Sequence, residues 1–236
     1  MATKTLTAMR TEIANRVNFT IPASSGTLVT IAEANIMING SIAELYDLLT
    51  QKFGNDYFVK DPAYTFSLVN GTEAYALPSD FFKLLGVDFQ LSTDEAITLK
   101  PFMFSERNQY TRSIVRGLTN AEFMRYRIRA GKLWFSPKPS STNTITVWYV
   151  PLPTTLSADG DTFDGYNGWE EYVITDVCIK FLAKEESDAS TFTQAKQSLI
   201  TRIEEAAGNR DAGASARITD VQRIGFESDQ GFWGAS

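Results

Sequence analysis

The hydrophobic period of this chain changes twice along its length, and that change narrows the available folds more than any single motif. Leu6, Met9, Ile13 and Val17 recur at helical spacing. After a loop at residues 22–26, where Ser25 or Thr27 can cap, Ile31, Ala34, Ile38, Ile42, Leu45 and Leu49 form one apolar stripe. Leu48 widens it, Asn35 and Asn39 flank it, and Gly54-Asn55 is its stop. From residue 64 the period falls to two. Tyr64, Phe66 and Leu68 alternate with polar residues, Asn70-Gly71 follows, and Tyr75 and Leu77 resume the alternation. Asn-Gly supplies the positive φ angles of a type I′ turn, so a hairpin is predicted here. Residues 78–80 then cap a brief helical turn at 81–85, residues 87–91 and 96–99 form a strand pair, and residues 102–112 form a short helix. Tyr126, Ile128, Leu133 and Phe135 around Ala130-Gly131 predict a second hairpin. Ile145, Val147 and Tyr149 predict a further strand, ended by Pro151 and Pro153.

Helical spacing returns at Trp169, Val173, Val177 and Phe181, with Tyr172, Ile174, Cys178 and Leu182 broadening the face. A face this wide implies burial on two sides, in a bundle or against neighbouring subunits. Phe192, Ala195, Leu199 and Ile203 mark a partner helix that stops at Gly208. Helices, then strands, then helices make the chain α+β rather than βαβ. The expected architecture is an α-helical bundle core, with helices at 5–17, 27–53, 168–187 and 189–207. Antiparallel hairpins or a small sheet are inserted at 57–153. A single domain over residues 1–211 is followed by an extended C-terminal arm, 212–236.

The absence of histidine bears most directly on chemistry. It excludes a Ser-His-Asp or Cys-His enzyme and a His-ligated zinc site. Carboxylate, Lys or Tyr chemistry stays open. Asp159 and Asp161 fit the first and third positions of a calcium loop, and Glu170 the twelfth. Phe163 cannot be the fifth-position ligand, however, and the glycine comes one residue late, at Gly165. These residues read better as turn formers, with Asn167 capping the next helix and Glu170-Glu171 in its first turn. Adjacent on a helix, Glu170 and Glu171 cannot flank one glycosidic bond. Gly131-Lys132 is followed by Leu133 rather than Ser or Thr, so it is a β-turn and not a phosphate-binding loop. No catalytic residue, metal ligand set or cofactor is expected. Cys178 is the single cysteine, so no intrachain disulfide is possible, and its apolar neighbours imply an inert buried thiol. The first residues lack the apolar segment of a secretory signal, and no run approaches the roughly 18 apolar residues of a membrane span.

Charge is unevenly distributed. The net charge is −6, but residues 100–138 hold nine Lys/Arg against Glu106 and Glu122, a local +7, so the remainder carries −13. Arg125, Arg127 and Arg129 alternate on a predicted strand and leave one face, with Tyr126 and Ile128 facing the core. That face is either ordinarily solvated or a contact for an acidic partner or nucleic acid. A basic mid-region on one copy can also meet an acidic helix on the next. Phe226, Phe232 and Trp233 stand among Gly and Ser beyond the last helix. They imply that the tail either folds back or docks on a neighbour. Trp169, Glu170 and Tyr172 complete the set of interface candidates. A nucleic-acid-binding module using residues 100–138 is one alternative function. A calcium-dependent carbohydrate binder or carboxylate-based hydrolase is another.

In order along the chain, several segments together resemble head-to-tail connector (adaptor) proteins of tailed bacteriophages. They are Ile42-Ala-Glu-Leu-Tyr-Asp-Leu-Leu49, residues 66–77, Leu77-Pro78-Ser-Asp-Phe-Phe-Lys-Leu-Leu-Gly-Val-Asp88, Tyr126-Arg-Ile-Arg-Ala-Gly-Lys-Leu133, and Asn167-Gly-Trp-Glu-Glu-Tyr172 through Asn209-Arg-Asp211. The resemblance runs from about Thr5 to Val221, and residues 222–236 go beyond it. It implies a non-enzymatic structural virion protein, a self-assembled, dodecameric ring in the neck between portal and tail. Such a ring extends the channel through which double-stranded DNA passes without specific binding. It also offers a platform to tail or nozzle proteins. Assembly would occur in the host cytoplasm, with no membrane involved. Acidic residues are expected along the channel, because a negative wall repels DNA phosphates.

Overall fold

The computed structural model describes residues 3–21, 29–107 and 124–209. Helix α1 (Leu6–Val17) begins where the Thr5 hydroxyl accepts the Ala8 amide at 3.1 Å, and it ends at Asn18, in the left-handed region at φ 55°. Helix α2 (Ile31–Phe53) starts later than the predicted residue 27. Its cap is Thr30, whose hydroxyl accepts the Glu33 amide at 3.3 Å; Ser25 and Thr27 lie outside the described residues. At the far end of the chain, a short α3 (Gly165–Gly168) precedes α4 (Glu170–Lys184) and α5 (Ser190–Gly208). The predicted boundary at 168 shifts because Gly168, at φ 104°, breaks the helix. Asp164 caps α3 by accepting the Tyr166 amide at 2.9 Å, and α4 starts after Trp169 with no side-chain cap.

Between α2 and α3 the described residues form two four-stranded sheets. The strands are β2 (Tyr64–Ser67), β3 (Ala74–Ala76), β4 (Phe81–Gln90), β5 (Ala96–Thr98), β6 (Lys100–Pro101), β7 (Arg125–Arg129), β8 (Lys132–Ser136) and β9 (Thr144–Pro151). One sheet has the order β2-β9-β4-β5, the other β3-β8-β7-β6; β6 and β7 run parallel and every other pair antiparallel. A small pair, β1 (Lys4–Thr5) with β10 (Thr162–Phe163), ties the start of α1 to the loop before α3.

The first predicted hairpin is corrected here. The Asn70-Gly71 reversal exists, with Gly71 at φ 80° and the Thr72 amide donating to Val69 at 3.0 Å. Its two arms do not pair with each other, however. β2 pairs with β9, setting Phe66 opposite Ile145, and β3 pairs with β8, setting Ala74 opposite Trp134. The turn therefore passes the chain from one sheet to the other. The predicted helical turn at 81–85 is also corrected. Phe81–Gln90 is one strand, kept on β9 by register shifts between Phe81 and Lys83 and between Leu84 and Gly86. Of the predicted helix at 102–112, a single 3-10 turn at Phe104–Glu106 is seen, and residues beyond 107 lie outside the description. The second hairpin, β7–β8, is as predicted, with Ala130 at φ 49° and Gly131 at φ 68° in its turn.

Two hydrophobic cores result among the described residues. One gathers the apolar sides of α1, α2, α4 and α5 around Met9, Ile38, Leu45, Val177 and Phe181. The other lies within the strands, around Leu68, Val87, Leu133, Ile145 and Val147. The wide face of α4 is buried within its own chain, because α1, α2 and α5 all pack on it. Asn39 is more than a flank residue. Its amide group donates to the Leu156 carbonyl at 2.9 Å and accepts the Leu156 amide at 2.8 Å, fastening α2 to the loop after β9. Among the described residues no helix is long and apolar enough to cross a membrane.

Candidate interaction sites

Strand β7 holds its arginines on aromatic rings. The Arg127 guanidinium donates to the Phe102 carbonyl at 3.1 Å and lies 5.9 Å from the Phe104 ring. Arg129 lies 5.6 Å from Phe104 and 4.8 Å from Trp134, while Arg107 lies 4.8 Å from Phe104. Trp134 is fixed in turn by its ring N–H, which donates to the Arg129 carbonyl at 3.1 Å. Guanidinium groups are weakly hydrated and stack on aromatic faces, so this packing keeps three cations together without dehydrating them fully. The result is a cup of about 200 Å³, open to solvent, with Glu73 in its wall. Glu73 is engaged by Lys138 at 3.7 Å. Among the described residues, Arg107, Arg127 and Arg129 form no ion pair. Arg125 stands at the start of the strand and donates to the Met124 carbonyl at 3.1 Å. Tyr126 packs on the β core as predicted, but Ile128 is 38% exposed, because it stands beside the turn at the strand's end.

The acidic loop before α4 uses its carboxylates locally. Asp159 pairs with the buried Arg10 of α1. Asp161 accepts the amides of Ser157 at 2.7 Å and Ala158 at 2.8 Å, and these bonds hold its carboxyl below the usual range. Glu171 grips Arg16 of α1 through both oxygens, at 2.5 and 2.9 Å. That bond is the main reason the Arg16 guanidinium is pushed above its ordinary value. Among the described residues no group of three or more His, Cys, Asp or Glu is placed to hold a metal ion.

Of the other interface candidates, Tyr172 is 4% exposed, with the Lys196 ammonium 5.1 Å from its ring centre, so its side chain has little surface left for a neighbour. Trp169 is half-buried under Arg202, at 5.7 Å. Glu170 turns inward. Its Oε2 is buried, has no hydrogen-bond partner among the described residues, and faces the backbone of Gly165. Phe226, Phe232 and Trp233 lie outside the described residues.

Two features escaped the sequence reading. The first is Asp176, 3% exposed, which accepts from Ser41 at 2.6 Å, Lys180 at 2.7 Å and Lys196 at 2.6 Å. Glu44 extends the network to Lys180 at 2.8 Å, joining α2, α4 and α5. Burial pushes the Asp176 carboxyl up, but the bonds from Lys180, Lys196 and Ser41 outweigh it and the net direction is down. An acid set between Val173, Ile174 and Val177 was the available signal. The second is a cleft of about 590 Å³ where the helices meet the strands, lined by Tyr46, Tyr57, Phe58, Pro151, Leu152 and Tyr166. Burial pushes the Tyr46 hydroxyl up to about 12, and that hydroxyl donates to the Pro151 carbonyl at 2.8 Å. These residues come from well-separated segments, which periodicity cannot bring together.

Compared with known proteins, the chain matches the family model described as SU10 adaptor protein over residues 4–220, a span covering the five helices and both sheets of the described residues. No curated protein matches it.

Proposed function

The chain belongs to the SU10 adaptor protein family, a phage head-to-tail adaptor family, and from that premise we propose that it is the repeating subunit of a ring set between portal and tail. The observation that carries the reading is the extent of the match. It takes in the described helices and both described sheets, so the likeness extends over most of this chain rather than being confined to one borrowed motif. In this reading the helices form a bundle and make the ring wall, the strands project toward the tail, and residues 212–236 act as an arm. Portal lies on one side and tail or nozzle proteins on the other. The ring extends the DNA channel in the virion neck, and assembly takes place in the host cytoplasm. The acidic surplus outside residues 100–138 suits a channel wall that lets duplex DNA slide without specific binding.

The role is structural, with no catalytic step assigned. Among the interface candidates, Arg125, Arg127 and Arg129 and the tail residues Phe226, Phe232 and Trp233 make the outward contacts. Trp169, Glu170 and Tyr172 shape the helical wall behind them. Size-exclusion chromatography with light scattering, alone and with portal, tests the proposal. A ring mass in either condition is the expected result. A chain that stays monomeric and never binds portal overturns it.

A further inference from the structure

We infer that the cup formed by Arg107, Arg127, Arg129, Phe104 and Trp134 is a socket for the acidic aromatic C-terminal segment of this chain, residues 226–236. The inference deepens the arm contact proposed above and rests on that reading, but it does not need a closed ring. Three observations select this occupant.

The first is the chemistry of the cup. Three guanidinium groups without an ion-pair partner among the described residues, backed by two aromatic rings, favour a carboxylate carried next to an aromatic side chain. Residues 226–236 contain Phe226, Phe232 and Trp233 together with Glu227 and Asp229, and no Lys or Arg. The second is size. A volume of about 200 Å³ falls below the ~300–1,000 Å³ of clefts that enclose small molecules, and suits one anchoring side chain of a longer segment. The third is length. Residues 210–236 follow the last described residue, and 27 residues reach at most roughly 90 Å when extended, enough to return to the sheets or to cross to a neighbouring copy.

The two competing occupants fit less well. Residues 108–123, which follow Arg107 directly, add Arg112 and Arg116 against Glu122 alone, so their charge repeats that of the cup instead of matching it. Duplex DNA offers phosphates but no free aromatic side chain to fill a cup backed by Phe104 and Trp134.

The test uses the full chain carrying the photo-crosslinking residue p-benzoylphenylalanine in place of Phe232, with crosslinked peptides mapped by mass spectrometry. Crosslinks are expected in residues 102–107 and 127–134. Arg107→Glu with Arg129→Glu is expected to lower their yield about ten-fold, the effect of losing roughly one charge pair. Adding Glu227→Arg and Asp229→Arg to that background is expected to restore it. Both arginine side chains are exposed, so the thermal melt should hold. If it does not, Glu227→Arg with Asp229→Arg alone gives the same loss without touching the sheet. Heavy and light chains mixed before crosslinking separate a contact within one chain from one between copies, and either supports the socket. Crosslinks elsewhere, or a yield that ignores charge reversal, overturn it. So does a gel shift in which the arginine variant loses duplex DNA while the crosslink persists, since the cup would then be a nucleic-acid contact. Ring formation is read separately by light scattering, so failure of the socket and failure of the ring are distinguishable.

Discussion

Asp176 sits 3% exposed among three helices, and its two oxygens take up Ser41, Lys180 and Lys196. Asp176→Ala would leave two ammonium groups beside an apolar core with only the more exposed Glu44 as their anion. Removing one side of a buried pair costs about 3–5 kcal/mol, and urea denaturation should show a loss of that order. The same carboxylate sets a pH dependence. Its folded value lies below the ordinary 3.8, so the unfolded chain takes up the proton first. The stabilisation is therefore complete above that value and is lost as pH falls through the lower folded one. The stability gap between the wild type and Asp176→Asn should narrow as pH drops from about 6 to about 3, again measured by urea titration. Cys178, two residues on, gives a simpler expectation. Burial pushes its thiol up to about 12, so thiol-specific reagents should label it only as the chain unfolds.

Among the elements, the turn from α3 into α4 is the most sensitive to a single added methyl group. Gly165 has φ 68°, and a Cβ there would fall on the Glu170 amide nitrogen and 2.6 Å from its Oε2. Gly131 has the same φ of 68° in the β7–β8 turn, with nothing within 4 Å. Gly131→Ala should cost only the conformational penalty, about 1 kcal/mol, whereas Gly165→Ala should cost several times more, read as melting temperatures of the two variants. These two turns also show what the sequence makes legible. Ala130-Gly131 and Asn70-Gly71 both announced reversals, and both reversals exist. Only the first joins strands that pair, because β2 and β3 find longer-range partners in β9 and β8. Period and turn chemistry are local and locate strands; pairing is decided by residues some 60 to 80 positions away, such as Trp134 opposite Ala74 and Ile145 opposite Phe66. The arginine cup was half-visible for the same reason. The alternation of Arg125, Arg127 and Arg129 is written in one strand, but Phe104 and Trp134 arrive from outside it.

At the scale of the molecule, a cluster of aromatic rings stands at the joint where the helices meet the strands. Tyr46 of α2 is 4% exposed and stands at its centre, with ring centroids 5.1 Å from Phe58, 5.1 Å from Tyr166 and 6.3 Å from Phe82 of β4. Its hydroxyl bonds to Pro151 at the end of β9, so one side chain touches the helical layer, the 3-10 turn at Asn55–Phe58 and the sheet. Such a residue couples units that each have a core of their own. Tyr46→Phe removes a single hydrogen bond and should lower stability by about 1 kcal/mol without altering cooperativity. Tyr46→Ala removes the ring, an aromatic truncation worth about 3–5 kcal/mol in a packed site. Because the missing ring lies between the cores and not inside either, its loss should fall on their coupling. Differential scanning calorimetry should then show one transition for the wild type and Tyr46→Phe, and two for Tyr46→Ala. A single transition displaced to lower temperature in Tyr46→Ala would mean that the strands and helices are held together by contacts other than this joint. If the joint does set the coupling, it also sets how rigidly the chain carries its cup relative to its helices. The crosslink yield from the C-terminal segment should then fall in Tyr46→Ala, even though no residue of the cup has changed.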